Sequence, residues 1–257
     1  MFLREAVVWS HLVHPNVLPF YGIVQSDGMG SFGLVSPWMQ NGNLSAYLNE
    51  FPKTPRLPLV HDVLAGLNYL HDHEVVHGDL KGVNVLIDID GMARLADFGL
   101  STLIDPLGTV STAQGPRGTI RWMAPEVLEG KVVRPCPSSD IYSVASVMYE
   151  ILTGRIPFSN LPRPESVMWK VMQGVKPDKP DKSKAPELSD DVWKVMLKCW
   201  NYLPADRPPV AQVIAGLGLS SSPRPVRATR DKIPERTGAI FDSDIMFLKD
   251  TLGILKS

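Results

Sequence analysis

The sequence predicts an α+β fold, with a small strand-bearing portion at the front and a larger, mainly helical portion behind it. Three observations carry this. Apolar residues at helical spacing open the chain, two short apolar runs of strand character follow between residues 17 and 39, and after the stretch QNGNL the apolar periodicity is mostly helical. With 257 residues, 44% of them apolar and 21% charged, the chain can bury one substantial core or two small ones and is not a disordered polypeptide.

Phe2, Ala6, Trp9 and Val13 recur at steps of four, three and four, which places one apolar stripe on an amphipathic helix. His14-Pro15-Asn16 ends that helix. The runs VLPFYGIV (17–24) and FGLVSPWM (32–39) are expected to form two antiparallel strands joined through QSDGMGS, where glycine supplies backbone freedom. Four helical stripes follow: Leu59, Val63, Leu67 and Leu70; Ile141, Val144, Ala145, Met148, Ile151 and Leu152; Val192, Val195, Met196 and Cys199; Val210, Val213, Ile214 and Leu217. Between the first two lie the short β-type runs NVLID and ARLAD. No internal repeat is present.

Composition changes at Leu219. The stretch SSSPRPVRATRDKIPER has no apolar periodicity and carries five basic residues against two acidic ones, so residues 219–238 read as a flexible linker. In the tail, 239–257, Phe241, Ile245, Leu248, Leu252 and Leu255 return to helical spacing, and a short amphipathic helix is expected there, weakened by Gly253.

A formal net charge of −1 provides no broad electrostatic reason for nucleic acid or an anionic membrane as the main partner. Cys136 and Cys199 are too few for a disulfide framework and fit a reducing compartment as ordinary buried or half-buried thiols. No apolar run approaches the ~20 residues that span a bilayer, and the front of the chain lacks the order of a signal peptide. The expected location is the cytoplasm, with the nucleus as the other possibility. Nothing in the sequence sets an oligomeric state.

The chemistry concentrates in one block, VVHGDLKGVNVLIDIDGMARLADFGLS. Asp79, Lys81, Asn84 and Asp97 are polar groups among apolar, strand-like runs, with five positions from Asp79 to Asn84, thirteen more to Asp97, and Phe98-Gly99 after it. Singly, each is as readily a loop carboxylate, a solvated lysine or a turn residue. As an ordered set they resemble the protein kinase catalytic loop H-x-D-L-K-x-x-N and the D-F-G motif. GTIRWMAPE (118–126), SDIYSVASVMYEILTGRIPF (139–158) and CWNYLPADRP (199–208) extend the resemblance. RWMAPE with CW and RP is similar to the tyrosine-kinase-like group of Ser/Thr kinases, and the likeness covers about residues 2 to 218.

The resemblance implies a protein-kinase-like domain over 1–218, ATP and Mg²⁺ as cofactors, and a protein substrate or signalling partner phosphorylated on Ser or Thr. Phosphoryl transfer asks a protein mainly for positioning and charge stabilisation. By resemblance, Asp79 orients the attacking hydroxyl and accepts its proton, and Lys81 neutralises charge on the γ-phosphate and favours Ser/Thr. Asn84 and Asp97 are hard oxygen ligands suited to Mg²⁺. Met39 offers hinge backbone groups to adenine after a gatekeeper at Ser36, and Leu86 belongs to the same nucleotide site. Structural support is implied for Glu5 on the family's C-helix, for His77 packed with Phe98, Trp9 and Phe20, for Asp140 on the central helix, and for a buried pair of Glu126 and Arg207.

Lined up this way, the N-lobe is incomplete: the remnant 1–38 keeps the family's C-helix and its fourth and fifth strands, in front of a complete, mainly helical C-lobe at 40–218. The stretch GMGSFGLV (28–35) fits G-x-G-x-F-G-x-V as a string. A phosphate-clamping loop, however, precedes a strand with a V-A-x-K lysine and then the C-helix. Here it follows the helix and runs into the hinge, so it is read as a turn and a strand start. The glycine-rich loop, the V-A-x-K lysine and the first three strands are then missing from the sequence, and Glu5 lacks its ammonium partner. Weak or absent kinase activity is expected of the polypeptide as written. A catalytically inactive, kinase-like binding scaffold is the competing reading. Gly78 replaces the usual H-R-D arginine, so a phosphate on Ser101, Thr102, Thr109, Ser111 or Thr112 would lack that anchor. Arg117 and Arg121 are either substitutes or solvated loop arginines.

Overall fold

The structure is a computed structural model, and it describes residues 2–25, 32–98, 119–132, 135–220 and 222–224. Helix α1 (Phe2–Ser10) buries Ala6 and Val7 and half-buries Trp9. Strands β1 (Gly22–Gln25) and β2 (Phe32–Val35) pair antiparallel, Gly22 opposite Val35 and Gln25 opposite Phe32. Both are shorter than the apolar runs that predict them. Pro19 and Pro37 lack the N–H that a ladder needs, and Val17 instead makes a single parallel bridge to Leu95.

From β2 the chain runs directly to α2 (Leu44–Glu50), where the Asn43 side chain accepts from the Ala46 N–H as N-cap. Next comes α3 (Arg56–Asp72), buried from Leu59 through Leu67 and again at Leu70, which covers it on every side. A second antiparallel hairpin joins β3 (Val85–Ile87) to β4 (Ala93–Leu95). Leu95 N–H donates to Asn16 O and Leu18 N–H to Leu95 O, both at 2.9 Å, so the His14-Pro15-Asn16 segment is stitched along β4.

The rest is helical: α4 (Pro125–Leu128), α5 (Pro137–Thr153), α6 (Pro164–Met172), α7 (Asp190–Cys199) and α8 (Val210–Gly216). Cys136 and Ser139 cap the start of α5 reciprocally, and Gly154 ends it at φ +67°, a left-handed position that glycine adopts without strain. Helices α3 and α5 pack together at the centre, with α7 and α8 against them. Trp200, Tyr142, Leu64, Leu67, Met148 and Ile151 are among the fully buried side chains there. The architecture is thus mostly helical with two two-stranded sheets, and among the described residues no helix is long and apolar enough to cross a membrane.

The segment read as a linker is anchored at its start. Ser220 O accepts from His61 Nε2 at 2.9 Å, and Arg224 lays its guanidinium on Asp62. Residues 225–257, with the expected tail helix, lie outside the described residues.

Candidate active site

Asp79 sits in the loop between α3 and β3, and α5 sets that loop from below. Asp140, 1% exposed on α5, accepts from the His77 N–H through Oδ2 and from the Gly78 N–H through Oδ1, both at 2.8 Å, while His71 Nε2 lies 2.9 Å from Oδ2. Gly78 adopts φ +76°, where any side chain would be strained. Glycine at this position of the loop therefore relaxes its backbone.

Three of the four central residues meet directly. The Asp79 carboxylate accepts from Lys81 Nζ at 2.5 Å and from Asn84 Nδ2 at 3.1 Å, and Asn84 Nδ2 also donates to the Asp79 main-chain oxygen at 2.8 Å. Lys81 Nζ reaches Thr119 Oγ1 at 3.1 Å as well, which ties the loop to the segment that leads into α4. Asp79 keeps 35% of its side chain exposed against 13% for Lys81, so the carboxylate faces outward while its partners stand behind it.

Asp97 joins this group through the backbone. Ala96 N–H donates to Asn84 O at 2.9 Å, and Asp97 follows, exposed, at φ +54°. A non-glycine residue in the left-handed region carries local strain of the kind that functional sites retain. With its NH₂ engaged on Asp79, Asn84 turns its amide oxygen to any further partner. An amide oxygen and a carboxylate fit Mg²⁺, which takes one or two protein oxygens and fills its octahedron with water and phosphate. Among the described residues no group of three His, Cys, Asp or Glu side chains forms a metal site.

Beside these lies a small apolar cluster of Leu18, Met39 and Ala96, with Trp9 and Leu86 against it. Met39 O accepts from Gly42 N–H at 3.0 Å, and its own N–H has no partner among the described residues, which leaves a donor at the edge of an apolar surface. Phe98 is buried and packs edge-on to His77 (6.3 Å) and to Trp9 (5.9 Å), and Trp9 in turn lies 5.2 Å from Phe20. The rings thus run from α1 to the loop that carries Asp79. Burial pushes the pKa of His77 down, against the pull of Asp140 and Asp79, so its imidazole packs as a neutral ring. Glu5 is a residue of α1 whose side chain lies outside the described ones.

Glu126 and Arg207 meet as a buried, two-bond pair. Arg121 departs from both of its readings: it donates to the carbonyls of Pro157, Phe158 and Leu161 at 2.7 to 3.0 Å, so it is neither free to anchor a phosphate nor a solvated loop arginine. Gly28, Gly30, Gly99, Ser101, Thr102, Thr109, Ser111, Thr112 and Arg117 lie outside the described residues. Gly33 stands on β2 opposite Val24.

One residue of the site escaped the sequence reading. Glu150, 2% exposed on α5, accepts from Ser45 Oγ of α2 and from Trp122 Nε1 at 3.2 Å, and its carboxylate packs closely against Gly82 in the Asp79 loop. Burial raises its pKa, opposed by Ser45, Trp122 and the Gly82 backbone. Its only sequence signal is a lone carboxylate within the apolar run ASVMYEIL.

Residues 1–217 match the family described as protein tyrosine and serine/threonine kinase. Among curated proteins, the chain is similar to serine/threonine-protein kinase STY17 of Arabidopsis thaliana, 34% identical over 83% of this chain and 36% of that protein. Mitogen-activated protein kinase kinase kinase 2 of the same plant is 31% identical over 82% of this chain and 32% of its own length. Receptor-interacting serine/threonine-protein kinase 2 of Bos taurus is 32% identical over 80% of this chain and 40% of its own. The chain therefore spans roughly a third of the length of the curated relatives it matches.

Proposed function

Because the chain belongs to the protein tyrosine and serine/threonine kinase family, we propose that it binds Mg·ATP beside Met39 and Leu86 and directs the γ-phosphoryl group to a Ser or Thr hydroxyl of a protein. The observation that carries this reading is the Asp79 carboxylate, outward-facing and held between Lys81 and Asn84. Bound ATP supplies the transferable phosphoryl, and Mg²⁺ neutralises charge on it. Asp79 receives the hydroxyl proton as the new O–P bond forms and the bond to the bridging oxygen of ADP breaks. Lys81 stands where the transferred group gathers charge, Asn84 and Asp97 hold the metal through oxygen, and the Met39 N–H receives the base. Lys81 and the serine/threonine kinases among the relatives both support a hydroxyl of Ser or Thr as acceptor. Two free cysteines support a reducing compartment, cytoplasm or nucleus.

Helix α1 and strands β1 and β2 stand in front of the mainly helical portion that carries Asp79, Lys81 and Asn84. Gly78, standing where the family pattern has the H-R-D arginine, favours a second reading, a catalytically inactive module that binds partners. Thermal denaturation with and without Mg·ATP separates the two. A rise in midpoint that disappears in Asp97→Ala supports the nucleotide site, and no rise in the parent chain supports the binding module. Phosphate transfer to a generic protein substrate, lost in Asp79→Asn, would refute the binding-module reading.

A further inference from the structure

The residues after α8 fold back onto α3, beside the strand β4 that leads to the candidate metal ligand Asp97. Arg224 donates from Nε to Asp62 Oδ1 at 2.7 Å and from its terminal NH₂ to Oδ2, and Ser220 O is held by His61 on the neighbouring position of α3. Asp62 is fully buried, and Arg224 keeps about a third of its side chain exposed. A buried carboxylate is tolerated only with partners that satisfy it. Besides Arg224, the partners of Asp62 are the imidazole of His61, 3.8 Å from Oδ1, and the Ala93 N–H, which donates to Oδ2 at 3.0 Å.

Ala93 is the first residue of β4. Its carbonyl accepts from Asn16 Nδ2 at 3.0 Å, so the start of the strand is gripped from α3 on one side and from the His14-Pro15-Asn16 segment on the other. Four residues later the same strand delivers Asp97. We propose that Arg224 is a positioning residue: its guanidinium fork fixes the direction of the Asp62 carboxylate, Asp62 fixes β4, and β4 sets Asp97 for the metal. Ser220 and Arg224 then form a strap that belongs to this fold. The consequence for Asp97 rests on the nucleotide reading above, whereas the hold on β4 does not.

Hydrogen exchange and Mg·ATP titration on the full chain test this, with Arg224→Ala and Arg224→Lys as variants. In Arg224→Ala, exchange in peptides covering 85–96 should accelerate about tenfold while peptides of α7 stay unchanged, and Mg·ATP affinity should fall about tenfold with ATP binding in the absence of Mg²⁺ unaltered. Arg224→Lys keeps the charge and loses the planar fork, so it should lie between parent and alanine variant. Unchanged exchange at 85–96, or an equal acceleration in every peptide, would overturn the proposal, the second by making Arg224 a general stabiliser. If the parent chain binds no Mg·ATP, the nucleotide reading fails, and exchange at 85–96 still decides the strap.

Discussion

Arg207 closes a fork on Glu126, NH1 on Oε1 and NH2 on Oε2, both at 2.7 Å, with 0% and 6% of the two side chains exposed. Its remaining donors reach the carbonyls of Asn201, Ser138 and Tyr202, and the guanidinium lies 5.2 Å from the centre of the Tyr142 ring. Removing one member leaves the other buried and uncompensated. Arg207→Ala should therefore lose about 3–5 kcal/mol of stability, measured by urea denaturation. A loss under 1 kcal/mol, as for exposed pairs, would contradict this account of the pair.

Gly82 touches Glu150 so closely that a Cβ added there would sit 2.2 to 2.5 Å from the carboxylate. Gly82→Ala should cost about 1–3 kcal/mol by overpacking and displace Asn84 two residues on. Truncating the carboxylate should relieve much of this. In the double variant with Glu150→Ala, the added cost of Gly82→Ala should shrink, and strict additivity of the two changes would count against a direct clash.

His14 stacks on Tyr69 with ring centroids 4.8 Å apart and accepts from the Asn16 N–H through Nδ1 at 3.0 Å. Burial pulls its pKa from 6.5 down to about 4, with Asp62 pulling upward and His73 adding to the fall. Between those two pH values the unfolded chain takes up a proton that the folded ring refuses. The contribution of His14 is thus fully present above pH 6.5 and shrinks as pH drops toward about 4. His14→Asn, which keeps an acceptor and does not titrate, should lose less stability than the parent between neutrality and about pH 5 in paired urea titrations.

Cys199 is wholly buried on α7, and burial pushes its thiol up to about 12. Cys136 is only half-buried at the start of α5. A thiol reagent at neutral pH should label Cys136 first and reach Cys199 only at the rate of unfolding, because the thiolate is the reacting form. Equal labelling of both under native conditions, read by mass spectrometry, would contradict the packing of α7 against α5.

Much of this was legible because it is local. Asp79, Lys81 and Asn84 lie within six residues, so their spacing already encodes their meeting. Helices α3, α5, α7 and α8 follow from apolar stripes. Short α2 and α6 carry no such stripe and depend on their starts, the Asn43 cap and Pro164 in the first turn. Least legible were polar residues whose partners are remote. Glu150 meets Trp122 and Ser45 at separations of 28 and 105 residues, and Arg224 reaches Asp62 across 162. Arg121 looks like any loop arginine until the chain brings three carbonyls around it. Pro19 and Pro37 shortened the strands for a reason that was visible, since neither can donate to a ladder.

Asp140 and Glu150 stand ten residues apart on α5, about 15 Å along the helix axis. Asp140 accepts from the Gly78 N–H and the Glu150 carboxylate packs closely against Gly82, so the intervening span with Asp79 and Lys81 is moored at both ends to one rigid rod at the centre of the molecule. Local opening of a protein begins where few buried contacts must break. The hairpin of β1 and β2, with Ile23, Val24, Phe32 and Val35 all exposed, is such a place. On gentle heating the hairpin should fray while the moored loop keeps its shape, and the loop should come apart only when α5 leaves the core. The geometry around Asp79 is in that sense as durable as the whole C-terminal portion of the fold.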